Sequence, residues 1–111
     1  MNTTISADVD PVRAELAARI AALDVKAPYL DACDLAPDID AIRALAHRNQ
    51  LNPALTVAHF LATALARGDR GQRGALVHGW LAMLTDAIAS ERQDAAASDI
   101  FAAACSVRLA S

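Results

Sequence analysis

A chain of 111 residues, 55% of them hydrophobic, is one domain with ample apolar material for a core. Its net charge of −3 and pI near 5.4 argue against a nucleic-acid binder. Two cysteines without CxxC spacing, Cys33 and Cys105, exclude a disulfide scaffold.

The charge falls in blocks. Residues 1–40 carry three basic and eight acidic groups (net −5), residues 41–74 five basic and one acidic (net +4), and residues 75–111 two basic and four acidic (net −2). Opposed blocks of this kind pair within one chain or between chains. The opening MNTTISADVD has no basic n-region or apolar h-region, so a signal peptide is not expected. No stretch approaches the ~18 uninterrupted apolar residues of a membrane span. The expectation is a soluble cytoplasmic protein with reduced thiols and no membrane association.

In chain order, residues 1–8 are polar and expected to be a flexible N-terminus, with residues 9–111 forming a single helical domain. Asp10-Pro11 reads as a helix start, and Val12, Leu16, Ile20 and Leu23 recur at helical spacing, which predicts an amphipathic helix over 11–24. Glu15 and Arg19 stand four apart in the favourable order. Residues 25–36 (VKAPYLDACDLA) read as an irregular connector, pinned to the core by Tyr29 and Leu30, because Pro28 restrains Ala27 and the aspartates suit turns. Pro37 opens the second helix, with Ile39, Ile42, Leu45 and Ala46 as its stripe and His47 and Arg48 in its last turn. Asn49 and Gln50 end it.

Asn52-Pro53 starts the third helix, which runs through Leu55, Ala58, Leu61, Ala62 and Leu65 to Arg67, with Gly68 as its stop. After the loop 67–74 (RGDRGQRG), a fourth helix spans 73–90. It is apolar on nearly every side: Leu76, Val77, Trp80, Leu81, Met83, Leu84 and Ile88 leave little circumference for water, so it must be covered by its own bundle or by a second chain. Ser90 and Gln93 have capping-box spacing, placing a break at 90–94. The last helix, 94–109, presents Ala97, Ile100, Phe101, Ala104 and Val107. No strand pattern appears. The fold class expected is all-α, a bundle of four to five helices with short loops and a thin core, since 28 residues are alanine.

Five features bear on chemistry. Arg67, Arg70 and Arg73, each followed by glycine and repeating every three residues, make a sensible anion grip before a helix N-terminus. They lack a Walker ending and interleaved aromatics. Residues 42–61 resemble a helix-turn-helix in outline, but the second helix offers no Arg or Lys before Arg67 to read a groove, so two packed bundle helices are expected instead. His47, His59 and His78 fall on three helices with no HxxxH or ExxH spacing; a metal site is not expected, and His59 and His78 are the possible polar site, His78 bonding to a backbone carbonyl or water. The acids Asp31, Asp34, Asp38 and Asp40 lack the spacing of a calcium loop. Cys105 reads as a buried packing residue, and Cys33, flanked by carboxylates, lacks the cationic setting that activates a thiol.

Within the fourth helix, Gly79 costs about 1 kcal/mol relative to alanine; with Ala75, Ala82 and Asp86 it predicts a close helix crossing. Trp80, Gly79 and Leu84 are accordingly the anchor of an interface or core. No motif implies a cofactor. The functional expectation is a protein-interaction or regulatory module that self-associates as a homodimer through helix faces. The alternative is a phosphate or nucleic-acid binder using the Arg-Gly loop 67–74, and the third is an enzyme or metal protein built on His78 or His59.

Overall fold

The computed structural model describes residues 3–67 and 73–110. It is an all-α bundle: α1 (Thr3–Lys26), a 3-10 turn (Ala27–Tyr29), α2 (Ala32–Arg48), α3 (Asn52–Arg67), α4 (Arg73–Ala89) and α5 (Ala95–Ala110). Helices α1 to α4 close a cycle of neighbours, α1 on α2, α2 on α3, α3 on α4 and α4 back on α1. Helix α5 lies outside that cycle, packed along α3. The chain is elongated, 50 × 26 × 18 Å.

Helix α1 is longer than the spacing predicts. It begins at Thr3, and Pro11 lies inside it. A proline forfeits one backbone bond and crowds one carbonyl, which makes it a good first residue but does not forbid a preceding turn. The inner stripe is Leu16, Ile20, Leu23 and Ala27, all at most 5% exposed, in 4-3-4 steps. Glu15 and Arg19 form the expected pair at 2.9 Å.

That stripe explains a correction. Tyr29 does not pin the connector to the core; it is 84% exposed. The helical phase continues through Lys26 into the 3-10 turn, so Ala27 becomes the anchor and Tyr29, two residues on, points away. Leu30 does pack on the core, half-buried. The connector is also shorter than expected. Helix α2 starts at Ala32, with Asp31 as the flanking residue whose carbonyl accepts from the Asp34 and Leu35 amides. Pro37 therefore sits inside α2 rather than opening it. Burial of Leu35, ahead of Ile39, Ile42 and Ala46 in 4-3-4 steps, rewards the extra turn.

The α2–α3 join is a Schellman motif. The Leu51 amide donates to the Ala46 carbonyl (2.9 Å) and the Gln50 amide to the His47 carbonyl (3.2 Å), with Gln50 in the left-handed region at φ 57. Helix α3 then begins on the Leu51 carbonyl, which accepts from Leu55. Asn52 is helical and does not cap; its side-chain amide donates to the Gln93 carbonyl across the molecule at 2.9 Å.

Helix α3 is the hub, in contact with α2, α4 and α5, and buries Pro53, Ala54, Val57, Ala58, Leu61, Ala64 and Leu65. The second helix of the helix-turn-helix outline is thus largely taken up by packing, and its exposed residues, His59, Ala66 and Arg67, put no Arg or Lys on its first turns. Helix α4 is covered by its own chain: Val77, Trp80, Leu81, Leu84, Ala87 and Ile88 are buried. Among the described α4 side chains, those from Val77 onward, the rest of the circumference holds exposed His78, Ala82, Thr85, Asp86 and Ala89, small or polar residues that tolerate water; the side chains of Ala75 and Leu76 lie outside those described.

The predicted break at 90–94 is present, but the cap is different. Asp94, not Ser90, caps α5, its carboxylate accepting from the Ala97 amide at 2.9 Å. Gln93 turns back and donates to the Ala87 and Ser90 carbonyls at the end of α4, which satisfies orphan carbonyls there.

Helix α5 departs most from its expected stripe. Ala97 and Cys105 are buried and Phe101 and Leu109 half-buried, whereas Ile100 is 65% and Val107 71% exposed and Ala104 is exposed too. Packing on α3 uses the 97–101–105 ridge, so the apolar residues at 100, 104 and 107 face outward.

Candidate functional site

Two surfaces collect the features on which function could rest. The first is a groove of about 680 Å³ along the α2–α3 hairpin. The antiparallel pairing of these helices sets Asp40, Arg43 and His47 of α2 opposite Leu55, Thr56 and His59 of α3. His59 thus shares a groove with His47, a neighbour that sequence spacing does not reveal because the two lie on opposite arms of a hairpin.

Most of the groove's polar groups already have partners. Arg43 donates to Asp40 at 3.3 Å, and its Nε is buried without a partner. The Thr56 hydroxyl lies 2.5 Å from that of Ser98 on α5. The His59 ring stands edge-on to Phe60 at 6.1 Å. Among the described residues, no group of three or more His, Cys, Asp or Glu converges as metal ligands do.

His59 and His78, the possible polar site, lie on different faces of the bundle. His78 sits on the α1–α4 face, and its Nδ1 is 3.1 Å from the Asp24 carboxylate, a side-chain partner in place of the expected carbonyl or water. Trp80 is fully buried, as is Leu84, so both belong to the core of the monomer. Gly79 is crowded, but by a side chain rather than by a crossing helix. A Cβ there would lie 2.5 Å from Nη1 of Arg108, whose guanidinium stands over the Trp80 ring at 5.9 Å. Of the Arg-Gly loop, Arg67 is exposed at the end of α3, Arg70 lies outside the described residues, and Arg73 opens α4 with its side chain outside them. Charge pairing between blocks is sparse in the described chain: Arg43 with Asp40 spans a block boundary only locally, while Lys26–Asp38 at 2.6 Å ties α1 to α2 within the acidic block.

The second surface is the outward face of α5. Ala96, Ile100, Ala103, Val107 and Ala110 are all exposed and follow one another in steps of four, three, four and three. A stripe with that spacing occupies one side of a helix. Across from it, the inner side is sealed: the Cys105 thiol meets the Met83 sulfur at 3.3 Å, and burial pushes the thiol up to about 11, with the nearby Arg108 charge pulling weakly the other way. At the helix start, the Ala97 amide and then the Arg92 guanidinium hold the Asp94 carboxyl below its ordinary value.

Among the described residues no helix is long and apolar enough to cross a membrane. No family model matches the chain, and no match is found among curated proteins or solved structures.

Proposed function

We propose that the protein is a small cytoplasmic interaction module that self-associates as a homodimer through the outward face of α5. The observation that carries this reading is the exposure of Ile100 and Val107, 65% and 71%, on a helix whose opposite side already completes the core. Large aliphatic side chains left in water on one helix face mark an association surface.

The anchor of the association is Ile100 with Val107. Trp80, the aromatic that sequence alone offers for this role, is already spent inside the monomer core.

Light scattering or sedimentation across micromolar concentrations tests the proposal. The expected result is a dimer that the double variant Ile100→Asp, Val107→Asp converts to a monomer with unchanged helical circular dichroism. A parent protein that is monomeric throughout that range, or a double variant that dimerises as the parent does, overturns it.

A further inference from the structure

The α2–α3 hairpin gathers positive charge. From Ala41 to Arg67 the sequence holds three arginines and two histidines and no carboxylate, in a protein of net charge −3. Pairing of the two helices brings Arg43 and His47 of α2 to the same groove as His59 of α3, a space of about 680 Å³. The acid of that groove, Asp40, accepts from Arg43 through Nη1 at 3.3 Å, and the Arg43 Nε is buried without an acceptor. His47 and His59 are exposed, and among the described residues neither imidazole has a hydrogen-bond partner. Unused donors therefore remain on both walls, with apolar surface from Ala44 and Leu55 beside them.

We propose that this groove binds a small organic phosphate, with Arg43, His47 and His59 as its donors. A phosphate group carries several acceptor oxygens in a tetrahedral arrangement, so it can take N–H donors from two facing walls at once. A carboxylate has two oxygens in one plane, which a single guanidinium fork already satisfies. The volume falls within the roughly 300–1,000 Å³ of small-molecule sites and leaves room beyond the phosphate for an organic body lying on Ala44 and Leu55. Asp40 is the built-in competitor, because it holds Arg43 and repels an incoming anion. None of the lining residues belongs to α5, so the site is independent of self-association through that helix.

The test is titration of the full chain with phenyl phosphate at constant ionic strength, followed by calorimetry and by the ring resonances of His47 and His59. The expected result is saturable binding in the millimolar range or tighter, with both imidazoles shifting. Arg43→Gln should weaken it about tenfold, and so should the pair His47→Gln, His59→Gln; both histidines are exposed, so the pair variant leaves the fold intact. Asp40→Asn should tighten binding several-fold, an effect that damage to the fold does not mimic. Inorganic phosphate should bind more weakly than phenyl phosphate, and equal affinity would overturn the role of the apolar surface. A parent that does not bind, or groove variants that bind as the parent does, overturn the site. Loss of binding only in the triple variant Arg67→Gln, Arg70→Gln, Arg73→Gln moves it to the Arg-Gly loop and overturns the groove. A short oligonucleotide that binds more tightly than phenyl phosphate, with the same dependence on the groove variants, overturns the small-molecule assignment.

Discussion

Helices α4 and α5 are close in length and in apolar share and opposites in setting. Each is rich in alanine with aliphatic residues on several sides. In α4 the large residues Trp80, Leu81, Leu84 and Ile88 are buried, with α1 and α3 as neighbours, and among the described side chains those exposed are small or polar. In α5 two of the large residues, Ile100 and Val107, stand outside. The difference lies in the number of neighbours. A helix inside a closed cycle of four is covered from two sides, whereas α5 lies along α3, touches α4 through Cys105 and Arg108, and leaves its far side uncovered. Apolar content therefore states how much coverage a helix needs, and topology states whether its own chain supplies it.

The sharpest way to break this comparison is to truncate one residue in each helix. Trp80→Ala is expected to cost about 3–5 kcal/mol, since it empties a fully buried site. Ile100→Ala in a monomeric sample is expected to change stability by only about 0.5 kcal/mol or less, while weakening the dimer. Denaturant unfolding of both variants at low protein concentration measures the contrast, and a large loss at Ile100 in the monomer would refute the outward placement of that face.

A second test concerns the start of α5. Asp94→Ala removes the carboxylate that accepts from Ala97 and is expected to lower Tm at pH 7. The folded carboxyl is held below its ordinary value of 3.8, so its charge contributes stability above that value and the contribution is lost as pH falls through the lowered one. The Tm gap between variant and parent should narrow in acid along that window. A gap that stays constant from pH 7 into acid would show that the charge contributes nothing.

The thiols report the inside and outside of the same bundle. Native protein is expected to give one fast-reacting thiol, Cys33, which is exposed, with Cys105 reacting only on unfolding. The Cys105 thiol titrates near 11 rather than 9.0, so the stability it lends as a neutral group is complete below about pH 9 and fades as pH rises towards 11. Stoichiometry of reaction with a thiol reagent, with and without denaturant, decides the point.

The smallest expected effect is at Gly79. Alanine there gains about 1 kcal/mol of helix propensity, offset by displacement of the flexible Arg108 end from the Trp80 face, worth roughly 0.5–1 kcal/mol. The net change should be near zero. In an Arg108→Ala background the same substitution should be clearly stabilising, and the double-mutant cycle isolates the coupling.

Much of the fold was legible in sequence where local chemistry spoke with one voice. The end of α2 at Asn49-Gln50, the start of α3 at Asn52 and the break after α4 fall where cap and turn residue types place them, although Asn52 does not cap and Asp94 caps α5 in place of Ser90. Proline misled twice, because Pro11 and Pro37 are both good first residues and both sit inside longer helices, drawn there by further helical turns ahead of them. The candidate surfaces were less legible. His47 and His59 meet across a hairpin, and His78 meets Asp24 from a different helix; no spacing along the chain encodes either pair. The 4-3 stripe of α5 was present in the letters, but Ala97, Phe101 and Cys105 make a second stripe of equal quality on the same helix.

The sequence by itself determined that the chain is helical, where the helices break and how much apolar surface each must hide, because propensity, capping and spacing act within a few residues. Only the tertiary structure decided which stripe of α5 faces inward and that α4 is hidden by its own chain. Those choices depend on neighbours brought together from distant parts of the sequence, and burial is a property of the assembled surface rather than of any one segment.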